Sequence, residues 1–222
     1  MSAQLDHLVV IAASLDQGVA WCEATLGVTP SPGGQHALMG THNRLFSIAS
    51  PTYPLAYFEI IAIDPAAPAP ARQRWFDMDD PALQERLRRD GPRLAHWAAR
   101  VDDAQAAVAA LQTLCIDRGA VIAASRPTPQ GLLQWQITVR EDGQRLYDGA
   151  LPTLIQWGAV HPAAAMPASG VTLLSFDLQH PQAGALASAC QALDLPGVPV
   201  QPGPAHLRAR LQTPKGLVEI CS

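Results

Sequence analysis

The chain is short of charge and of any local cysteine pattern, and each shortage closes off a class of function. Only 15% of its 222 residues are Asp, Glu, Lys or Arg, and the net charge is −4. The arginines are scattered except for Arg86, Arg88, Arg89 and Arg93, which read as the wet face of a helix, so no nucleic-acid partner is expected. Cys22, Cys115, Cys190 and Cys221 lie far apart with no Cys-x-x-Cys pair. That spacing fits reduced thiols in a cytoplasm better than a disulfide frame or a zinc knuckle. No apolar run approaches the roughly 20 residues that cross a bilayer, and Met1–Asp6 carries no basic segment. A soluble, cytoplasmic protein without a membrane partner is the expectation. What the chain has in quantity is apolar side chains, 48%, enough for a full core in one large domain or two compact ones.

Leu5–Ala12 organises the rest. It reads as a buried strand, with Val9, Val10 and Ile11 β-branched in a row and a histidine, His7, where another aliphatic side chain would be ordinary. Ser14-Leu15-Asp16-Gln17 is a capping box that opens a helix ending at Gly27. Pro30–Gly34 reads as a turn, followed by strands at Gln35–Met39, His42–Ala49 and Leu55–Ile63. This β-α-β-β-β unit then recurs. Leu94–Val101 is again a strand with histidine, His96, in third place. Asp102–Gln105 is again a cap, an alanine-rich helix runs to Gly119, and strands follow near Val121–Ser125, Leu132–Arg140 and Thr153–Trp157.

The expected fold class is therefore α+β, built from paired βαβββ modules whose sheets form a cup. Residues 1–63 are the first module and 94–160 the second. Residues 64–93 are a proline-rich linker with a short helix at Pro81–Arg89, and 171–222 are a third, shortened βαβββ module. Trp75 and Phe76 either pin the linker onto the core or cover the mouth of a pocket.

Strand alternation sorts the side chains by face. If the helices cover the wholly apolar faces, His7 and Glu59 point to the opposite, concave side. His96 and Arg100 share a face, and Gln156 stands alone among Leu154, Ile155 and Trp157. In Leu132–Arg140, Gln134, Gln136 and Thr138 form a polar face that suggests a wet cavity. The cup would thus present His7, Glu59, His96 and Gln156. Imidazoles, a carboxylate and an amide oxygen suit a divalent metal such as Zn, Ni, Fe, Mn or Co. The bland alternative is that each histidine is a hydrogen-bonded core residue and that Glu59 pairs with Arg44 or Arg100.

At Leu5-Asp6-His7-Leu8-Val9, Gly40-Thr41-His42-Asn43, Phe58-Glu59-Ile60-Ile61, Trp75-Phe76, Ala98–Asp102, Leu154–Gly158, His161-Pro162 and Gly170–Leu173 the chain resembles the vicinal oxygen chelate superfamily. Its glyoxalase-like domain branch is the nearest likeness, and it spans almost the whole sequence. The resemblance implies paired modules curling into an open cup, with a metal held by the first and last strands of each, here His7, Glu59, His96 and Gln156. Glutamine at the last position departs from that branch. Implied activities are a metal-dependent lyase, isomerase or dioxygenase acting on a small oxygenated metabolite. A metal-free small-molecule binding protein on the same fold is the alternative, and a dimer scaffold a third reading. Glu59 is the expected base, with His42 a second acid–base candidate, and Asn43, Arg100, Gln134 and Gln136 are the expected substrate contacts. In the third module Ser175 stands where histidine would be and only Glu219 remains. That module is expected to be structural and to offer a pairing surface for a homodimer.

Overall fold

In the computed structural model, which describes residues 2–128 and 131–222, two βαβββ modules share one eight-stranded sheet. The first comprises β1 (Gln4–Ile11), α1 (Leu15–Leu26), β2 (Ser31–His36), β3 (Thr41–Ser47) and β4 (Tyr57–Ile63). A linker and α2 (Pro81–Asp90) lead to the second: β5 (Arg93–Arg100), α3 (Ala104–Gln112), β6 (Ala120–Thr128), β7 (Gly131–Val139) and β8 (Thr153–Trp157). The strand order, β2-β3-β4-β1-β5-β8-β7-β6, is a mirrored pair of four-strand units joined by the antiparallel β1–β5 contact. The third segment, β9 (Thr172–His180), α4 (Ala183–Ala192), β10 (Val200–Pro202), β11 (His206–Thr213) and β12 (Gly216–Cys221), forms a separate four-stranded sheet. Among the described residues no helix is long and apolar enough to cross a membrane.

Local chemistry explains the elements. Ser14 accepts the Gln17 N–H, an orphan donor of α1, while Gln17 Oε1 accepts the N–H of Ala13 just before the cap. Gly27 ends the helix at φ 76°, its N–H returning to Cys22 and Glu23. The apolar stripe of α1, Cys22 and Leu26, meets Leu8, Val10, Phe58 and Ile60 on the convex face. The alternation argument therefore holds for β4 and for β1 from His7 onward, but Leu5, expected on the face of His7, packs in the convex core; His7 and Glu59 lie on the concave side. Pro30–Gly34 departs from the expected turn, because β2 begins at Ser31. As an outermost strand it tolerates Pro32, and an irregularity between Pro32 and Gln35 absorbs Gly33 and Gly34.

The third segment keeps the element order of the other two but not their pairing. Its first strand, β9, sits between β10 and β11, and its last, β12, is an edge. Ser175 and Glu219 both face Arg210 on β11, and Arg210 and Glu219 are surface groups. The segment shares its core with the main sheet's convex face, where Phe176 packs edge-on to the fully buried Trp97 of β5 at 5.2 Å.

Much of the cup is filled by protein. The linker and α2 fold back into it, setting Phe76, Met78, Leu83 and Leu87 against Val9, Ile11 and Ile61. Trp75 and Phe76 serve both expected purposes: they anchor the linker inside the cup and form a wall of the pocket that remains.

Candidate functional site

The feature that shapes the pocket is a β-bulge. On β1, Leu5 pairs with Ala99 and His7 with Ala98, leaving Asp6 as an extra residue. In a regular strand Asp6 and His7 would point to opposite faces; here Asp6 Oδ1 lies 2.7 Å from His7 Nδ1. Asp6 is completely buried and takes three donors, since Oδ2 also accepts Trp157 Nε1–H and His161 Nε2–H, each at 2.9 Å. Burial alone would raise its pKa, but the hydrogen bonds and charges of His161 and His7 outweigh it and hold the carboxyl well below the usual range. His7 is 6% exposed and stacks on Tyr57 at 4.5 Å. Burial disfavours its charge, yet Asp6 and Glu59 together raise its pKa above 6.5.

Glu59 Oε2 stands 3.5 Å from His7 Nε2. Its other oxygen accepts Asn43 Nδ2–H at 2.6 Å. Asn43 also lies 3.3 Å from His36 Nε2 and accepts the Gly34 N–H at 2.7 Å, so its amide is committed to holding Glu59 and β2. His36 is neutral: burial and the nearby cations bring its pKa down to about 4, leaving Nε2 free to accept from Asn43. Tyr57 is pushed well above 10 by burial and by the Asp6 and Glu59 carboxylates. These groups, with Trp75, Trp135, Trp157 and Arg126, line an inner pocket of about 50 Å³. An outer cleft of about 800 Å³ shares Leu45, Arg126, Leu133 and Pro162 with it.

Of the expected residues, the pocket brings together His7, Glu59 and Asn43, and the others lie elsewhere. His96 is fully buried with both ring nitrogens engaged, Nδ1 to Gly149 O at 3.0 Å and Nε2 to Thr153 Oγ1 at 2.9 Å. Phe76 lies over the ring at 4.8 Å, and burial with the Arg118 and Arg145 charges holds its pKa well below 6.5. It has no nitrogen left for a metal. Gln156 points outward, and its Oε1 accepts the Ala104 N–H at the start of α3, an orphan donor that needs a partner. Gln134 and Gln136 share that outer face, because Leu133, Trp135, Ile137 and Ile155 are the ones that turn inward. Arg100 donates to Leu5 O and Gln4 Oε1 in a surface recess. His42 alternates with Asn43, so it faces away from Glu59 with Asp64 3.9 Å off.

The expected four-ligand metal set is thus reduced to two, His7 and Glu59. Among the described residues no three His, Cys, Asp or Glu side chains are placed to hold a metal ion, whereas catalytic zinc and non-haem iron sites ordinarily use three protein ligands. The donor set does not fit that group. Sequence reasoning did not assign Asp6, His36, Tyr57, Arg126 or His161. Asp6 and His161 lay in stretches that carry the family resemblance, but neither was given a role.

The buried histidines predict how stability follows pH. His36 and His96 are held neutral, so their contribution is complete above about pH 6.5, the unfolded value, and declines as pH falls toward the folded one. Urea unfolding followed by tryptophan fluorescence should show the midpoint dropping between pH 6.5 and about 4, with His36→Gln flattening the slope. A constant midpoint over that range would contradict the assignment.

A family model described as the glyoxalase-like domain matches residues 5–193. No curated protein matches the chain. Among solved structures, a hypothetical protein from Staphylococcus aureus aligns at TM-score 0.61 with 13% identity, over 91% of this chain and 87% of that one. Methylmalonyl-CoA epimerase from Streptomyces coelicolor, in complex with 2-nitronate-propionyl-CoA, aligns at 0.43 with 17% identity over 71% and 96%. Another methylmalonyl-CoA epimerase, bound to methylmalonyl-CoA and NH4+, aligns at 0.45 with 17% identity over 72% and 99%. With its paired modules, its curled sheet and a match over most of its length, the chain belongs to the glyoxalase-like domain family.

Proposed function

We propose that the protein is an isomerase or lyase that moves a proton on a carbon next to a carbonyl, with Glu59 as base and His7 as acid. The observation that carries this reading is the Asp6–His7–Glu59 line: a cation between two carboxylates, one buried and fully hydrogen-bonded, the other facing the pocket. Asp6 keeps a proton on His7 Nδ1, so the exchangeable proton is the one on Nε2. Asn43 fixes one oxygen of Glu59 and leaves the other toward the pocket. Glu59 takes the proton from carbon, and the C–H pair becomes the enol double bond. The carbonyl oxygen takes the Nε2 proton of His7. Return of a proton to the other face or to the neighbouring carbon completes an epimerisation or isomerisation; loss of a β-substituent instead completes an elimination. An acid and a base within one hydrogen-bond length of the same few atoms is the geometry this chemistry requires.

The test is deuterium incorporation. In D2O, α-hydroxy ketones, α-hydroxy aldehydes and 2-oxo acids are incubated with the protein, and loss of the α C–H signal is followed by proton NMR. Protein-dependent exchange in at least one class is expected. Binding without exchange in every class would favour the second reading, a metal-free binding protein, which the size of the outer cleft supports.

The two-donor set leads to a further expectation. Adding Zn, Ni, Fe, Mn or Co at tens of micromolar should leave the melting temperature unchanged within about a degree, because an ion that does not bind the folded state cannot stabilise it. A rise of several degrees that disappears in His7→Ala would restore a metal-dependent reading.

A further inference from the structure

Among the described residues Arg126 is the one Lys or Arg that lines the inner pocket. Pairing with Leu133 puts it on the concave face of β6. Its guanidinium reaches the opposite edge of the sheet and occupies the place that a side chain on Gly34 of β2 would take. Among the described residues it has no ion-pair partner, and its Nη1 is buried without a hydrogen bond. Trp75, on the same pocket wall, likewise has a buried Nε1–H without a partner. Buried donors left unmatched are costly, and both residues line the same pocket. The outer cleft supplies the complementary information. Apart from Arg126 none of the described residues lining it is Lys, Arg, Asp or Glu, and Val28, Phe46, Val160, Met166 and several prolines give it a largely apolar wall.

We propose that the substrate is an amphiphilic monocarboxylate. Its carboxylate pairs with Arg126 and accepts from Trp75, its carbonyl and adjacent carbon enter the inner pocket, and its apolar body lies along the outer cleft. The assignment rests on the acid–base reading of the same pocket and adds the substrate class to it. A planar carboxylate matches a guanidinium edge, and one cation matches one anionic charge. A carrier with several phosphates would find no second Lys or Arg among the described residues of the cleft.

Trp75, Trp135 and Trp157 line the pocket, so intrinsic fluorescence reports binding directly. The probes are 2-oxooctanoate, its neutral isostere 2-oxooctanamide, the shorter 2-oxobutanoate, and acetyl-coenzyme A. Wild type is expected to bind the octanoate about tenfold or more tighter than the amide, as a charge-assisted hydrogen bond predicts. It should bind the butanoate about tenfold or more weaker than the octanoate, as lost methylene burial predicts. Arg126→Gln should erase the acid-over-amide preference, and Arg126→Lys should keep part of it. Gly34→Ala should erase it too: the obstructed atom is the end of a flexible side chain, which can turn aside without unfolding the sheet. Equal affinity for acid and amide, a preference that survives both Arg126→Gln and Gly34→Ala, no chain-length effect, tighter binding of acetyl-coenzyme A, or no quenching by any probe at millimolar concentration would each overturn the proposal. Glu59→Gln should retain the acid preference while losing deuterium exchange. Failure of exchange with the preference intact would therefore count against the proton-transfer reading and not against this one.

Discussion

Glu59→Gln should lower proton exchange by about 10²–10⁴-fold, the usual worth of a positioned general base, while the protein stays folded. The substitution is close to isosteric, and the site is built to hold the side chain in one pose. Asn43 Nδ2 donates to Oε1, and the Gln oxygen can accept that same bond, so the local fold keeps its hydrogen bond. What disappears is the carboxylate electron pair toward the pocket, together with the negative charge facing His7 Nε2 at 3.5 Å. Losing that charge should also bring the His7 pKa down, since Glu59 is one of the groups that raise it. Three measurements separate a catalytic role from a structural one: exchange by NMR, the melting temperature, and the His7 titration followed through its ring protons. Lost exchange with an unchanged melting temperature and a lowered His7 pKa is the expected combination. Exchange within a factor of about three of wild type would remove Glu59 from the mechanism, because a general base is worth far more than that.

The first module was the legible half of the site. The Ser14–Gln17 capping box, the β-branched run after His7 and the single carboxylate in Leu55–Ile63 each follow a local rule, and together they put His7 and Glu59 on one face. The second module misled for a physical reason. Alternation divides a strand into two faces but does not say which is inside. Helix α3 is only nine residues long, and the polar face of β7 that suggested a wet cavity lies on the outside of the sheet. The inward face is the aromatic one, with Trp135 against Trp157 at 5.8 Å. His96 kept its expected strand position and lost its expected role, because the linker laid Phe76 over it and the backbone at Gly149 and Thr153 engaged both nitrogens. Neither event leaves a mark on Leu94–Val101 itself. The bulge at Asp6 is equally silent, since it depends on how β1 registers with a strand some ninety residues away. Arg126 escaped notice for the same reason: its significance lies in reaching Gly34 across the seam between two modules.

The bulge also sets the strongest stability expectation, Asp6→Asn. The carboxylate accepts three N–H groups on two oxygens, from His7, Trp157 and His161, inside the protein. An asparagine offers one oxygen: its NH2 either faces the Trp157 and His161 donors, or faces His7 Nδ1, which can accept only by giving up its proton. Removing one partner of a buried charged pair costs about 3–5 kcal/mol, and the substitution should approach that figure at pH 6. The pH dependence identifies the cause. Asp6 titrates below its unfolded value, so its contribution is present above about pH 4 and is lost as acid is added. His7 titrates above its unfolded value, so its contribution is complete below about pH 6.5 and is lost as pH rises through the folded pKa. The penalty of Asp6→Asn should therefore be greatest between about pH 4 and 6.5 and shrink on the alkaline side, where wild type has lost the His7 charge. With the carboxylate gone, burial acts on His7 with only Glu59 to oppose it, and its pKa should fall. Urea unfolding at pH 6 and at a pH above the His7 midpoint, that midpoint located by NMR titration, checks each step. A penalty as large above the midpoint as at pH 6 would mean that Asp6 acts as a hydrogen-bond acceptor alone. The acid role of His7 would then lose its electrostatic support.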